Sequence, residues 1–450
     1  MSKKFLIAGA GFRGFCDAIA LAKIPGAEVT IIEPAPFFGG LMHSLEVKGF
    51  AVDKGVHVFD SIPRDLAAIV DEIMEGQTRE IGFVSCSAFN GKLTEGYSLP
   101  DLDSLDDAAV KQAIRAELLA LDANPPNQKV ARTLSELFAT RYGSTAARIF
   151  DAIFRKVYDI EATAVEANAI AQTSLGRLKF LPDEDMVALK QRSPWLDSVL
   201  AARRKAVGKV DDYVSIYPSD GGAMGGWCRR AAAWLEKKGI RVCLGEKIIK
   251  IEDGSGGLSV TTDRRTIAAD RLIWSNDNVS ALGAALGFDA SVVDERKYGT
   301  PMLFMTLITK VDHIKDFTYL QNFEPDAVTY RTSSAGIYSN QIRDGLSFIT
   351  SECSISLGSD GWKHPETMVP RAWKEIKDLG IVSSEAELID SHVLKLPSTF
   401  KLAKVGYSEQ VAAFNGEVAL RSPRVLLRNV VPFFRRDIYF DSLKIRDLIA

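Results

Sequence analysis

Within the first 33 residues a short apolar run, a glycine-rich turn, a helix-forming stretch, a second apolar run and an acid stand in succession. Phe5-Leu6-Ile7-Ala8 is an apolar run bounded by glycine, which is the pattern of a buried parallel strand. Gly9-Ala10-Gly11-Phe12-Arg13-Gly14 comes immediately after it. Ala18-Ile19-Ala20-Leu21-Ala22 has the composition of a helix, and Pro25-Gly26 closes it. Val29-Thr30-Ile31-Ile32 is the next strand and ends in Glu33.

Each glycine has a separate task in such a unit. Gly9 permits the tight turn, Gly11 lets backbone approach a pyrophosphate, and Gly14 lets the helix pack closely on the strand. Phe12 and Arg13 complete the loop at the helix start, where free N–H groups and the helix dipole favour phosphate charge. Glu33 stands 24 residues after Gly9, near the spacing at which an acid accepts from both ribose hydroxyls and disfavours a 2′-phosphate. The competing reading is a glycine turn in some other α/β domain. The strand, helix, second strand and acid in their places argue against it.

The length of 450 residues allows two large domains or three smaller ones. Lys plus Arg number 55 and Asp plus Glu 58, a formal charge of −3, so no excess charge directs the chain to nucleic acid or an anionic membrane. No apolar run approaches the ~20 residues of a membrane helix. The longest, Pro301 to Thr309, reads as a buried strand. Lys3 and Lys4 before the first apolar run imitate a signal peptide. That run is short, however, and glycines and Arg13 interrupt the residues after it, so a cytoplasmic location is expected. The five cysteines and five histidines are scattered and form no Cys-x-x-Cys, so neither disulfides nor a metal site are expected.

Beyond Glu33 the chain does not proceed to another βα unit of a nicotinamide dehydrogenase. Pro34-Ala35-Pro36-Phe37-Phe38-Gly39-Gly40-Leu41 comes first, and then Phe50-Ala51-Val52-Asp53-Lys54-Gly55-Val56-His57-Val58-Phe59. This order resembles the FAD-dependent amine oxidase and protoporphyrinogen oxidase superfamily, which includes UDP-galactopyranose mutases. The resemblance implies that FAD is the cofactor. It implies further that Gly39, Gly40 and Leu41 line it, and that Gly55, Val56 and His57 sit near the flavin ring. His57 is the candidate for proton transfer, with a structural core histidine as the alternative. Phe89-Asn90-Gly91-Lys92-Leu93 with Tyr97-Ser98-Leu99-Pro100 looks like a segment of the mutase branch. Tyr217-Pro218-Ser219-Asp220-Gly221-Gly222, the helix after it and the strands near Ile248 resemble the return to the FAD domain. Gly221 and Gly222 would then approach the flavin, and the backbone near Ile248 the adenine.

Two departures stand out. Tyr158-Asp159 replaces the Trp-Gly pair common in mutases, and Val430 to Asp437 lacks the glycine whose backbone usually meets the cofactor in the superfamily. The basic run Arg203-Arg204-Lys205 reads as solvated surface.

The expected architecture is α/β: a Rossmann-type FAD-binding domain (1–100, 206–290 and 415–450) interleaved with a substrate domain of antiparallel sheet and helices (101–205 and 291–414). Tyr319, Tyr330 and Arg331 lie in strand-rich sequence and resemble positions that hold substrate, with an ordinary Arg–carboxylate pair as the alternative for Arg331. The first functional expectation is an FAD-dependent oxidoreductase that moves hydride from a small molecule to the flavin. The second is a redox-neutral UDP-sugar mutase, whose partner would be a nucleotide sugar. A third keeps the fold without catalysis, prompted by the missing C-terminal glycine. The sequence leaves oligomeric state and electron acceptor open.

Overall fold

The computed structural model describes residues 3–82, 85–203, 212–427 and 434–449. The chain forms two compact units, one of Met1–Ile81, Asp212–Arg296 and Gly406–Ala450, the other of Gly82–Asp211 and Lys297–Val405.

The first unit is built on a five-stranded parallel sheet. Strand β1 (Lys3–Ala8) is central, with β2 (Ala27–Glu33) and then Arg241–Leu244 on one side, and Arg271–Trp274 and then Val425–Leu426 on the other. Leu6, Ile7, Ile31 and Ile273 are all buried, which is why these strands read as continuous apolar runs rather than alternating ones. The chain leaves β1 toward β2 and later returns to its opposite edge. Strand order therefore reverses at the C-terminal end of β1, where doubly wound sheets open a crevice. Helix α1 (Phe12–Leu21) is buried along its whole length. Its inner face is tied down by a hydrogen bond from Ser275 Oγ, just past Trp274, to Asp17 Oδ2 (2.6 Å). Besides the short antiparallel pair Leu45–Val47 and Phe50–Val52, the described residues of the unit form two three-stranded antiparallel sheets. One is the Ile248–Gly254, Gly257–Thr262, Thr266–Ala269 meander, with a hairpin between Gly254 and Gly257. The other joins Phe59–Pro63, Tyr213–Pro218 and Thr78–Glu80.

The second unit carries a seven-stranded sheet, in the order Asp390–Ala403, Lys297–Lys310, Leu346–Ser354, Arg331–Ser333, Tyr319–Asn322, Ser85–Phe89 and Lys92–Glu95. It is antiparallel except where Tyr319–Asn322 runs parallel to Ser85–Phe89. The strand expected at Pro301–Thr309 lies within Lys297–Lys310, and its side chains alternate between faces. Leu303, Met305 and Leu307 pack with Ile349, Cys353 and Leu320 against Val369, Ala372 and Ile376 of the helix Val369–Asp378. A separate helical core gathers around Leu134–Tyr158, which starts with a Thr133/Glu136 capping box and kinks at Gly143.

The unit boundaries differ from the expected ones at residues 82–100, which belong with the second unit. Ser85–Phe89 is hydrogen-bonded into that unit's sheet beside Tyr319–Asn322, and pairing so distant in sequence leaves no local mark. Residues 406–414 likewise belong to the first unit, because Phe414 of the helix Tyr407–Arg421 buries itself with Leu272 and Trp274. Of the basic run, Arg203 pairs with Asp183 at 3.0 Å, and Arg204 and Lys205 lie outside the described residues. Among the described residues no helix is long and apolar enough to cross a membrane, and no cluster of metal-ligating side chains occurs.

Gly14 is the tightest point of the β1–α1 joint, because a Cβ there would stand 2.0 Å from the Gly9 carbonyl oxygen. Gly14→Ala should destabilise the first unit by about 1–3 kcal/mol in urea unfolding, as overpacking does. Gly11→Ala meets open space and ordinary backbone angles, and should change stability by no more than about 0.5 kcal/mol.

Candidate functional site

Two glycine-rich loops, Gly9 to Gly14 and Gly39-Gly40, meet at the C-terminal end of β1. Gly9 adopts φ +113°, a conformation that glycine reaches without strain. Gly11 is the N-cap of α1 and, having no side chain, leaves the first-turn N–H groups without a side-chain cap of its own. The second loop lies directly against the first: Gly39 N–H donates to Ala10 O (2.8 Å), and a Cβ on Gly40 would come 3.5 Å from Gly11 Cα. Gly39 also needs to be glycine, since it has φ +106° and a Cβ there would overlap Cys228 Sγ at 2.1 Å. A Cβ on Gly11 would meet nothing within 4 Å. The result is a cradle of bare backbone, which a diphosphate could approach. Leu41 extends from it into solvent, 78% exposed.

Glu33 closes β2 and fixes the turn. Its Oε2 accepts from Ala10 N–H (2.8 Å) and its Oε1 from Ala35 N–H (2.9 Å). Each carboxylate oxygen retains a further lone pair, so two ribose hydroxyls could still donate to it.

The segment Asp53 to His57 adjoins this cradle. Gly55 turns at φ +129°. Asp53 is buried and accepts hydrogen bonds from Ser44 Oγ (2.5 Å), from Met224 N–H (3.2 Å) and from the Tyr217 hydroxyl. Burial pushes its carboxyl up to about 6, against the opposing pull of those three donors and of the Arg435 charge. Ser44 Oγ in turn accepts from Gly225 N–H (2.6 Å), so Ser44 and Asp53 together take up the first N–H groups of the helix Ala223–Lys237. At the start of that helix the two expected glycines differ. Gly221 has φ +75° and open space beyond it, whereas a Cβ on Gly222 would press against Gly226 and Arg229. Ile248 opens the meander, buried and paired with Thr262.

His57 meets an arginine. Arg435 donates from Nη1 to Val58 O (2.7 Å) and from Nη2 to His57 Nδ1 (3.2 Å). A guanidinium has no acceptor, so in this pairing Nδ1 accepts and the ring proton sits on Nε2. His57 is thereby arranged to donate from Nε2 rather than to abstract a proton there. Arg13 is turned to the C-terminal helix Arg435–Leu443, where its Nη1 pairs with Asp441 at 2.9 Å. Asp53, Ser44, Tyr217 and Arg435 were not singled out from the sequence. Asp53 could have been, as the one acid in the segment Phe50 to Phe59; Arg435 gave no signal beyond the absence of a glycine.

In the second unit, Tyr319, Tyr330 and Arg331 come together around one face of the sheet, in differing circumstances. Arg331 is bound by Glu352 on the neighbouring strand through three contacts of 2.7–2.9 Å. Tyr330 is buried against Tyr158 and Phe400, and its hydroxyl accepts from Gln321 Nε2 (3.0 Å). Tyr319 and Gln321 alternate along their strand, and Gln321 pairs with Arg331, so all three share a face. On it Ser87 Oγ, Thr306 Oγ1 and Gln321 Oε1, each on a different strand, are buried without hydrogen-bond partners, and polar ligand groups or ordered waters would satisfy them.

The raised Asp53 carboxyl makes a testable statement about pH. A carboxyl held at about 6 in the fold and near 3.8 unfolded binds its proton more tightly in the native state. Its stabilising effect is full below about pH 4 and is lost as pH rises through 6. Chemical unfolding of the wild type and of Asp53→Asn should therefore show the wild type losing about 3 kcal/mol relative to the variant between pH 3.5 and 7.

The NAD(P)-binding Rossmann-like domain family matches residues 7–73. No curated protein matches the sequence. Among solved structures, a reduced UDP-galactopyranose mutase is 15% identical with a TM-score of 0.73, over 100% of this chain and 94% of that one. A protein from Exiguobacterium sp. 255-15, provisionally named a protoporphyrinogen oxidase, is 15% identical at a TM-score of 0.68, over 100% and 99%. Putrescine oxidase bound to putrescine is 13% identical at 0.58, over 100% and 99%. The chain thus shares the fold of these solved structures, and its opening residues match the NAD(P)-binding Rossmann-like family.

Proposed function

We propose that the chain is an FAD-dependent oxidoreductase that oxidises a small molecule. The observation that carries this reading is the pair of bare loops, Gly9 to Gly14 and Gly39-Gly40, in contact with each other and open above Gly11. In this reading Gly9, Gly11, Phe12, Arg13 and Gly14 form the phosphate turn, and Glu33 takes the ribose. Gly39, Gly40 and Leu41 line the dinucleotide, Gly55, Val56, His57, Gly221 and Gly222 lie toward the ring, and the backbone near Ile248 lies toward the adenine. FAD, when bound, supplies the hydride acceptor. The protein's own part is to hold it, orient the substrate and exclude water. His57, with its proton on Nε2, offers a hydrogen-bond donor.

Within the second unit, the sheet face that carries Tyr319, Tyr330 and Arg331 is read as the part that binds substrate. A sugar-nucleotide mutase needs free cations for a diphosphate. Arg331 is already neutralised by Glu352 in a buried, bidentate pair, which favours the oxidoreductase reading. The mutase remains the second reading, favoured by the whole-chain likeness to a UDP-galactopyranose mutase fold. A cytoplasmic setting is part of the proposal and accords with five cysteines of which none is in a disulfide.

Two measurements test this. Gly11→Ala should lower FAD affinity about tenfold or more while keeping wild-type stability; equal flavin occupancy in the two proteins would remove the cradle from the account. Incubation of chemically reduced, FAD-loaded protein with UDP-galactopyranose should give no ring-contracted product. Turnover without consumption of an electron acceptor would establish the mutase instead.

A further inference from the structure

The C-terminal helix Arg435–Leu443 belongs to the first unit and is bound to it at three points. Asp441 pairs with Arg13 of α1, Tyr439 OH donates to Asp65 Oδ2 (2.7 Å), and Arg435 holds Val58 O and His57. The first and last of these bring a guanidinium close to the bare loops. Their situations differ. The Arg13 charge is met by Asp441. Arg435 has no carboxylate within 4.0 Å among the described residues, and its Nε is closed off from solvent with no acceptor.

The two acids nearest in charge do not resolve this. Asp53 is taken up by Ser44, Tyr217 and Met224 N–H, and Asp60 Oδ1 by the hydroxyls of Ser61 and Ser215 (both 2.9 Å). Burial outweighs the attraction of both acids and pulls the Arg435 pKa below its ordinary value. An under-compensated cation in the interior is costly unless an anion completes it. Its surroundings point to where that anion would lie. The guanidinium sits 5.8 Å from the centre of the Phe59 ring, and that ring is 6.0 Å from the ring of Phe12 in the glycine turn. The charge also acts on Cys228, whose Sγ bounds Gly39 in the second loop.

We infer that Arg435 is a cofactor-binding residue of this chain, a guanidinium set beside the glycine cradle to hold the diphosphate of the dinucleotide. The planar fork of arginine suits a diphosphate, and a buried site strengthens the contact. The inference rests on the FAD reading above. It also gives a role to the C-terminal segment that carries no glycine: a side-chain charge takes the place of backbone amides.

The test uses the full-length chain stripped of flavin, titrated calorimetrically with FAD and, separately, with riboflavin, which has no phosphate. Arg435→Met should weaken FAD about tenfold or more and leave riboflavin unchanged, and Arg435→Lys should recover part of the loss. Without flavin, Arg435→Met should melt at or above the wild-type temperature, because it removes a charge that lacks a counter-ion. FAD affinity equal to wild type in Arg435→Met overturns the inference. So does an equal loss of FAD and riboflavin, which would mark a structural or ring-directed role. If Arg435→Met does not fold, Arg435→Lys decides: FAD affinity lost outright, with the fold intact, would also overturn it. Failure of the wild type itself to bind FAD would instead bring down the flavin reading, and the inference with it.

Discussion

Close approach of backbone to backbone at the C-terminal end of β1 governs the first unit. Gly14 lets α1 descend onto the Gly9 carbonyl, Gly39 lets the second loop slip past Cys228, and Gly40 lies over Gly11. At Gly14 and Gly39 a Cβ would force movement, at Gly40 it would make ordinary contact with Gly11, and at Gly11 it would meet open space. The same residues that permit tight packing leave open space beyond Gly11, where a Cβ would meet nothing within 4 Å. Glu33 makes the turn rigid by accepting from both Ala10 and Ala35. A site held this way is shaped before any ligand arrives, which lowers the ordering cost of binding.

Around this cradle the polar groups form a connected set. Ser44 and Asp53 reach from the second loop and the Gly55 segment to the helix Ala223–Lys237, and Arg435 reaches from the C-terminal helix to His57. Three segments far apart in sequence thus share one small volume. Asp53 is kept from full ionisation by burial, while its hydrogen bonds fix its position. In the second unit the balance is reached differently. Arg331 and Glu352 cancel each other's charge, and the orphaned groups on that face, Ser87, Thr306 and Gln321, are neutral. A face of that kind suits a ligand that hydrogen-bonds more than one that carries charge.

The β1–α1–β2 unit was legible because its signals are local: an apolar run, glycines at fixed offsets and an acid at the end of the next strand. The segment at Asn90-Gly91, expected only as a mutase-like stretch, forms a hairpin with both residues at positive φ as such a turn requires. Its membership of the second unit was not legible, because it depends on Ser85–Phe89 pairing with a strand more than 230 residues on. The fate of Arg331 was left open for a similar reason, since its partner Glu352 is 21 positions away and meets it only through strand register. Arg435 was hidden altogether. Sequence shows that a glycine is missing near the C-terminus; only the fold shows which side chain stands at His57.

The central claim is that the first unit holds FAD. It is tested most directly by purifying the chain, incubating it with FAD, removing the excess, and measuring the flavin released on denaturation. The account predicts roughly one FAD per folded chain. A folded chain that retains no flavin would contradict it.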